Sequence, residues 1–487
     1  MKRQHGSVLV YCLGLLVVLA LSVGYSFNAS RISSEKTRLQ NTADAASYSV
    51  AAVESRDLNF NAYTNRAMVA NQVAIAQSIS IISWSRFVDR FVANISHLTS
   101  FIPPLRAVFA GISRGVSAAV SGMETAISGM IFSINHIEQI LSMAQQAHHA
   151  GTLAMAHDVY NEVVRRNDPE VDRSFSLRRG MFIADYIHGH QNFTTQYDPG
   201  NVTRGNQRSR SGSINRKKYD EHKKRMDEFR SVTLESRDGF SKNRTYDWIG
   251  KKWIGPKYQV RVRKTGGSEL TGSVSDRNKL GGYYTWSAMD TLAMHHRSLK
   301  WGGWSSWDEF IPIGWGAAAT RAPRGSRSFS FFSGAGGRHR YASSYRINSW
   351  TSKLAAIEYT REGATGRFNG LQPFYDIRKD GLISEAPGVA VMLTKPHSST
   401  AVNTVQHTSF GSGASDLDLE SEGGLLNNRL SALSQAVPYF SRPQDVSVFR
   451  RSDRLREYGN LYNPFWQPRL SELDDSRRLL GWAVTLL

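Results

Sequence analysis

The most extreme patterning in the chain lies at its start. Val8–Val23 (VLVYCLGLLVVLALSV) carries no charge and shows no polar face across four helical turns, unlike the surface helix of a soluble protein. With Gly6, Ser7, Gly24 and Tyr25 the segment reaches the roughly 20 residues that a transmembrane helix needs. Lys2, Arg3 and His5 precede it; Arg31, Lys36 and Arg38 follow, offset only by Glu35. The favoured reading is an uncleaved signal anchor with a cytoplasmic N-terminus and everything after about residue 27 across the membrane. A cleaved secretory peptide, with a small-residue site at Asn28-Ala29-Ser30, is the alternative reading of the same residues.

Beyond the span the pattern changes from uniformly apolar to periodic. Leu39, Ala43, Ala46, Val50 and Val53 step by four and three, the seam of a helix whose small residues admit a close neighbour. Ser33 or Ser34 ahead of Glu35 offers a start, and the helix can equally continue out of the membrane. Met68, Val73, Ile75, Ile79, Ile82 and Phe87 prolong the stripe. No proline precedes Pro103 and none separates Pro104 from Pro169, so the second interval is also expected to be helical. Its apolar series is Ile112, Val116, Ala119, Met123, Ile127, Met130, Ile134, Ile137, Leu141 and Ala144. Unbroken, this helix would extend roughly 90 Å at 1.5 Å per residue. Gly111, Gly115, Gly122 and Gly129 suggest bends or close crossings. An antiparallel hairpin turned at Pro103-Pro104 is favoured; the alternative is self-association, with Leu39, Ala43, Ala46, Val50 and Val53 pairing between chains.

Residues 198–245 are polar and rich in Arg, Lys, Ser and Asn, and read as a loop with one short helix. From Trp248 the chain turns to strands: Lys257–Arg263 alternates, and Gly388–Leu393 reads as a buried strand. Gly-Gly pairs at 266–267, 281–282, 302–303 and 336–337 punctuate them. Residues 401–424 look like a Ser/Gly-rich loop, and helices are expected over Leu425–Val437 and from Leu470 onward. The fold class is therefore α+β: a transmembrane helix (1–27), a long helical stalk or hairpin (28–168), a polar basic linker (169–247) and a mixed, β-rich body with Trp-rich strands (248–487).

Charge adds a question about partners. The net charge is +19, and residues 201–350 hold 29 Lys/Arg against 12 Asp/Glu, while a mean hydropathy of −0.38 keeps any membrane attachment local. Eight of the 11 tryptophans (Trp248, Trp253, Trp286, Trp301, Trp304, Trp307, Trp315 and Trp350) lie in or beside this basic stretch. Rings and cations together can hold an anionic polymer such as DNA or cell-wall glycan, although core packing is the simpler use of the rings. Cys12, inside the span, is the one cysteine, which excludes a disulfide framework and cysteine-based metal sites.

Catalytic signatures are missing. There is no HExxH, GxxxxGK[ST] or GxSxG, and Asp445-Val-Ser447-Val-Phe449 stops short of an adhesion-type metal motif. His148-His149 and His295-His296 are adjacent pairs that would point apart on a helix. His188-Gly-His190 could put two imidazoles on one face of a strand near Asp185, a weak metal signal. The sequence assigns no catalytic, cofactor-binding or metal-ligating residue, and the chain is expected not to be an enzyme; an unrecognised site around Asp185, His188 and His190 is the enzymatic alternative.

Leu39-Gln-Asn-Thr-Ala-Asp-Ala-Ala46 after an apolar anchor resembles the TadE/TadG-like proteins of the tight-adherence (Flp) pilus assembly system. Ala62-Tyr-Thr-Asn-Arg-Ala-Met-Val-Ala-Asn71 and the closing Asn460-Leu-Tyr-Asn-Pro-Phe-Trp-Gln467 resemble large TadG-related members. The resemblance implies a bacterial inner-membrane protein with one span at 8–23, a periplasmic body and other pilus or secretion subunits as partners. It also raises a prepilin-like leader ending at Gly6; Tyr11 then stands where pilin-type subunits carry a Glu.

Overall fold

The computed structural model describes residues 7–99, 101–171, 177–198, 212–253, 258–271, 284–320, 370–378, 381–396, 429–444, 446, 448–473, 475, 477 and 479. In chain order these form α1 (Ser7–Leu98), α2 (Pro103–Asn167), α3 (Leu177–Phe193), β1 (Thr194–Tyr197), α4 (Gly212–Glu235) and the one-turn α5 (Gly239–Lys242). There follow β2 (Tyr246–Trp253), β3 (Tyr258–Thr271), β4 (Thr285–Lys300), β5 (Gly303–Trp304), β6 (Asp308–Ala319), β7 (Phe374–Ile377), β8 (Val389–Pro396), β9 (Arg429–Phe440) and β10 (Trp466–Ser471). The class is α+β, with the helices first and the strands after. Two compact units result, and both draw on distant stretches: Met1–Ala62, Gln146–Thr195 and Ile377–Leu487 make unit 1; Tyr63–Gln145 and Gln196–Asp376 make unit 2.

Unit 1 contains a three-stranded antiparallel sheet, ordered β10-β9-β8, in which Val389 pairs with Ala436 and Trp466 with Phe440. Val389, Val391 and Leu393 alternate along β8 and join Leu39, Ala43, Ala46, Val50 and Val53 of α1 in one core with Ala156 and Val164 of α2. The α1 seam is thus satisfied within the chain, so Leu39, Ala43, Ala46, Val50 and Val53 have no free face for a second copy; self-association through them is corrected. Lys395 at the end of β8 is fully buried and bound by Glu170 (2.6 Å), Glu35 (2.8 Å) and Asp168 (3.4 Å). Burial works against its charge, but the hydrogen bonds to Glu170 and Glu35 more than offset that and raise its pKa. One ammonium therefore fastens α1, the exit of α2 and β8 together.

In unit 2, β3 pairs with β4 in an antiparallel register from Tyr258↔Ser298 to Thr271↔Thr285, β2 covers the other edge of β3 over Gln259–Lys264, and β6 takes the other edge of β4. Ile75, Ile79 and Ile82 of α1 are buried here, as are Trp286, Ala288, Ala293 and Ala317. Asp290, fully buried on β4, receives both arms of Arg244 (2.8 Å each), Lys264 Nζ (2.5 Å) and Ser83 Oγ (2.8 Å). A Cβ at Gly266 would collide with this carboxylate, and one at Gly316 with the α1 backbone at Ser83 and Phe87. Gly266-Gly267 therefore sits inside β3 rather than at a turn, whereas Gly303 (φ 112°) does make the β4–β5 turn.

Hairpin geometry is confirmed. Gln72–Glu138, Arg86–Glu124 and Asp89–Ser117 are paired, numbers rising on α1 as they fall on α2. Three local expectations are corrected. The polar segment holds the 24-residue α4, because Tyr219, His222, Met226, Phe229 and Thr233 form a buried stripe at steps of three and four. The second is Leu425–Val437: from Arg429 it is strand β9, since Leu430, Ala432, Ser434 and Ala436 suit a two-residue period between β8 and β10. Leu470 belongs to strand β10, which ends at Ser471, and the described helical residues are Asp475, Arg477 and Leu479. The 401–424 loop and the Gly pairs at 281–282 and 336–337 lie outside the described residues.

Candidate functional site

The anchor is the first candidate. Val8–Phe27 opens α1 as bare apolar helix, with Leu9 71% and Tyr11 77% exposed, and this part of α1 is long and apolar enough to cross a membrane. The same helix then runs without a break into the buried seam at Leu39. The closing NPFW segment is held by that helix. Asn59 accepts from the Trp466 backbone N–H (3.0 Å) and donates to its carbonyl (2.8 Å), so a side-chain amide takes the place of a strand neighbour. Trp466 and Leu461 are buried with Leu58 and Phe193. Glu457 accepts from Arg442, Asn460 and Asn463, and these bonds keep its pKa low against burial.

A second candidate is α2. Within unit 2 its buried face is mostly polar: Asn135, Glu138, Ser142 and Gln145 beside Ile131. Gln72 donates to both oxygens of Glu138 (2.9 and 2.7 Å) and accepts from Trp286 Nε1 at 2.6 Å. Burial holds the Glu138 carboxyl well above the usual range, only partly countered by Gln72. The apolar series expected to form a seam is split: Ile112, Met123, Met130 and Ile137 are exposed, Val116, Ile127, Ile134, Leu141 and Ala144 are half-buried, and Met123 still accepts from Ser85 Oγ of α1 at 3.2 Å. Among the described residues Gly115, Gly122 and Gly129 would each meet nothing within 4 Å on gaining a Cβ, so none of them marks a crossing there, and α2 runs as one helix.

A polar cluster buried in unit 1 is the third. Glu54 and Asp57 lie one turn apart on α1, His148 and His149 on α2, and Tyr186 and His190 on α3. Asp57 is fully buried; its Oδ1 meets His148 Nδ1 at 2.8 Å and its Oδ2 meets His149 Nδ1 at 2.7 Å. Burial favours the neutral acid, but these two bonds outweigh it and bring the pKa to about 2. His149 stacks on His190 with centroids 4.4 Å apart. His190 Nδ1 stands 3.7 Å from Glu54 Oε1, beyond hydrogen-bonding length. Burial raises the Glu54 pKa more than His190 lowers it, while His190 itself is raised, Glu54 and Asp57 prevailing over its desolvation.

Sequence reasoning singled out some of these residues and not their partners. His190 joins the cluster, but α3 is a helix, so His188 diverges, is exposed and contacts Asn192; Asp185 pairs with Arg477. His148 and His149, expected to point apart, take opposite oxygens of one carboxylate. Nothing singled out Glu54 or Asp57, although their i, i+3 spacing is visible. His295 is buried, and desolvation with Arg261 and Arg263 lowers its pKa to about 4.

The aromatic-basic region is largely engaged with itself. Arg297 lies over Trp304 (4.9 Å) and Trp307 (4.7 Å), and Arg261 over Trp307 (4.4 Å). Trp286 is core and Trp301 is exposed. The side chains of Trp248 and Trp253, and Trp350, Asp445 and Ser447 altogether, lie outside the described residues.

Residues 6–53 match the family model described as "Putative Flp pilus-assembly TadE/G-like". The match takes in the apolar opening of α1 and its whole seam, so the resemblance read from Leu39–Ala46 holds over this N-terminal segment and supports involvement in Flp/Tad pilus assembly. No curated protein and no solved structure matches the chain.

Proposed function

We propose that the chain is a non-enzymatic, single-pass component of a Flp/Tad-type pilus assembly or secretion apparatus in the bacterial inner membrane, its body in the periplasm. One observation carries the reading: the family match at 6–53 spans the passage, within one unbroken helix, from a fully exposed apolar segment to a fully buried seam. Exposure of such a segment to water would cost about 25 cal/mol per Å², whereas a bilayer covers it at no such cost, and a single helix satisfies its own backbone there.

The outer face of α2 is where such a protein would meet another subunit. Met123, Met130 and Ile137 recur every seven residues, with Gly122 and Gly129 just before the first two. That spacing suits the helix of another apparatus subunit: the large side chains act as knobs, and the glycines let the backbones approach.

Protease added to spheroplasts carrying a C-terminally tagged chain tests the topology. Loss of the tag, with the intact protein in the membrane fraction beforehand, is expected; a tag protected until lysis would put the body in the cytoplasm and overturn the reading.

A further inference from the structure

Unit 1 buries more unmet polar chemistry at one point than its fold requires. Among the described residues, both oxygens of Glu54, Nε2 of His190 and the hydroxyl of Tyr186 are buried without a hydrogen-bond partner. Glu54 is 1% exposed and His190 3%. Orphaned buried polar atoms are rare in native proteins, and here several converge. Beside them one oxygen or nitrogen each of Asp57, His149 and His190 lies within 4.8 Å of the others.

From this geometry we infer a transition-metal site, with Asp57, His149 and His190 as ligands and Glu54 as the fourth. The donor set is two imidazole nitrogens and two carboxylate oxygens, which suits Zn²⁺ or a similar borderline cation; Mg²⁺ and Ca²⁺ favour oxygen ligands. As in the metal sites of helical bundles, the ligands project inward from facing helices: here two carboxylates one turn apart on α1 face histidines from α2 and α3. Around a four-coordinate ion at about 2.0–2.1 Å, donors sit roughly 3.3 Å apart. For Asp57, His149 and His190 side-chain rotation closes the gap from 4.8 Å, with His149 exchanging its bond to Asp57 for the ion. Glu54 lies outside that set, with Oε1 3.7 Å from His190 Nδ1, and turns in to complete it. His148 remains on Oδ1 of Asp57 and becomes the positioning residue that orients that carboxylate. The ion satisfies Glu54 and His190 together and ties α1, α2 and α3 at one point. The weak metal signal at His188 and His190 caught one of these ligands, and the others escaped it because the set comes from three separate stretches of chain.

The test uses the full-length protein in detergent, on a histidine-free tag, stripped with chelator and titrated with Zn²⁺ or with Mg²⁺. Wild type is expected to take up one Zn²⁺ per chain and to melt at a higher temperature with it, and to show neither change with Mg²⁺. His190→Gln should lose both responses. His148→Gln should bind about 10- to 100-fold more weakly, and His188→Gln should match wild type. Absence of stoichiometric Zn²⁺ from wild type, or undiminished binding by His190→Gln, overturns the assignment. If His190→Gln does not fold, X-ray absorption at the zinc edge of the loaded wild type decides: two imidazoles are expected, and fewer than two reject the site.

Discussion

Two apolar series, one on each long helix, have nearly the same spacing and opposite fates. Leu39, Ala43, Ala46, Val50 and Val53 of α1 are buried against strands of unit 1, whereas on α2 Ile112, Met130 and Ile137 are exposed and Val116, Ile127 and Ile134 only half-buried. What separates them is the opposite face. On α2 the other side offers Asn135, Glu138, Ser142 and Gln145, and α1 answers with Thr64, Asn65 and Gln72. A matched polar network is well defined, since each group left unpaired would cost about 1–3 kcal/mol. A heptad therefore identifies a face that must be covered, and leaves open whether the cover is in the same chain.

The sharpest way to break this comparison is to place a charge in each series. Val50→Asp should destabilise the protein by about 3–5 kcal/mol, because the carboxylate would be buried without a partner. Met130→Asp should change stability by no more than about 0.5 kcal/mol while abolishing co-purification of apparatus subunits. Chemical denaturation of both variants, with pull-downs from native membranes, checks this, and equal destabilisation would mean that α2 is covered within the chain. An effect of similar size is expected in the unit 2 network: Asp290→Ala should cost about 3–5 kcal/mol by leaving Arg244 and Lys264 unpaired in the interior.

Gly316→Ala ranks next. The added methyl meets the α1 backbone, and overpacking of this kind costs about 1–3 kcal/mol; Gly122→Ala, in open space, should be neutral or slightly stabilising in the same melt. The smallest effect concerns the polar face of α2. Glu138 has a raised folded-state pKa, so its neutral form is favoured by folding. Its contribution is present at low pH and is lost as pH rises towards the folded value, with a slope of at most about 1.4 kcal/mol per unit. Glu138→Gln should flatten that part of the stability profile; an unchanged slope would assign it to another group.

Much of this was legible in the residues themselves. The apolar opening of α1, its seam, the hairpin at Pro103-Pro104 and the strands over 258–263 and 389–393 all follow from composition, period and proline placement. The inward face of α2 does not, because hydrophobic reading selects Met123 and Ile137 as core when Glu138 and Gln145 hold that place. β9 was missed because Leu430, Leu433 and Val437 fit a helical step as well as a strand, and only pairing with β8 and β10 decides between them. The buried cluster was beyond reach for a different reason. Glu54, His149 and His190 are brought together by tertiary packing, and no local spacing encodes that.

The unbroken course of α1 has a consequence for bearing as well as for attachment. Between Phe27 and Leu39 the helix is continuous, and each residue advances it by 1.5 Å and turns it by about 100°. In a bilayer the azimuth of unit 1 about the membrane normal would thus be set by counting residues, as a propeller's phase is set by its shaft. One alanine inserted at residue 30 would swing the unit by about 100°, while seven would lift it by roughly 10 Å and return it to within about 20° of its original heading. An apparatus that reads this heading should tolerate the longer insertion better than the shorter one.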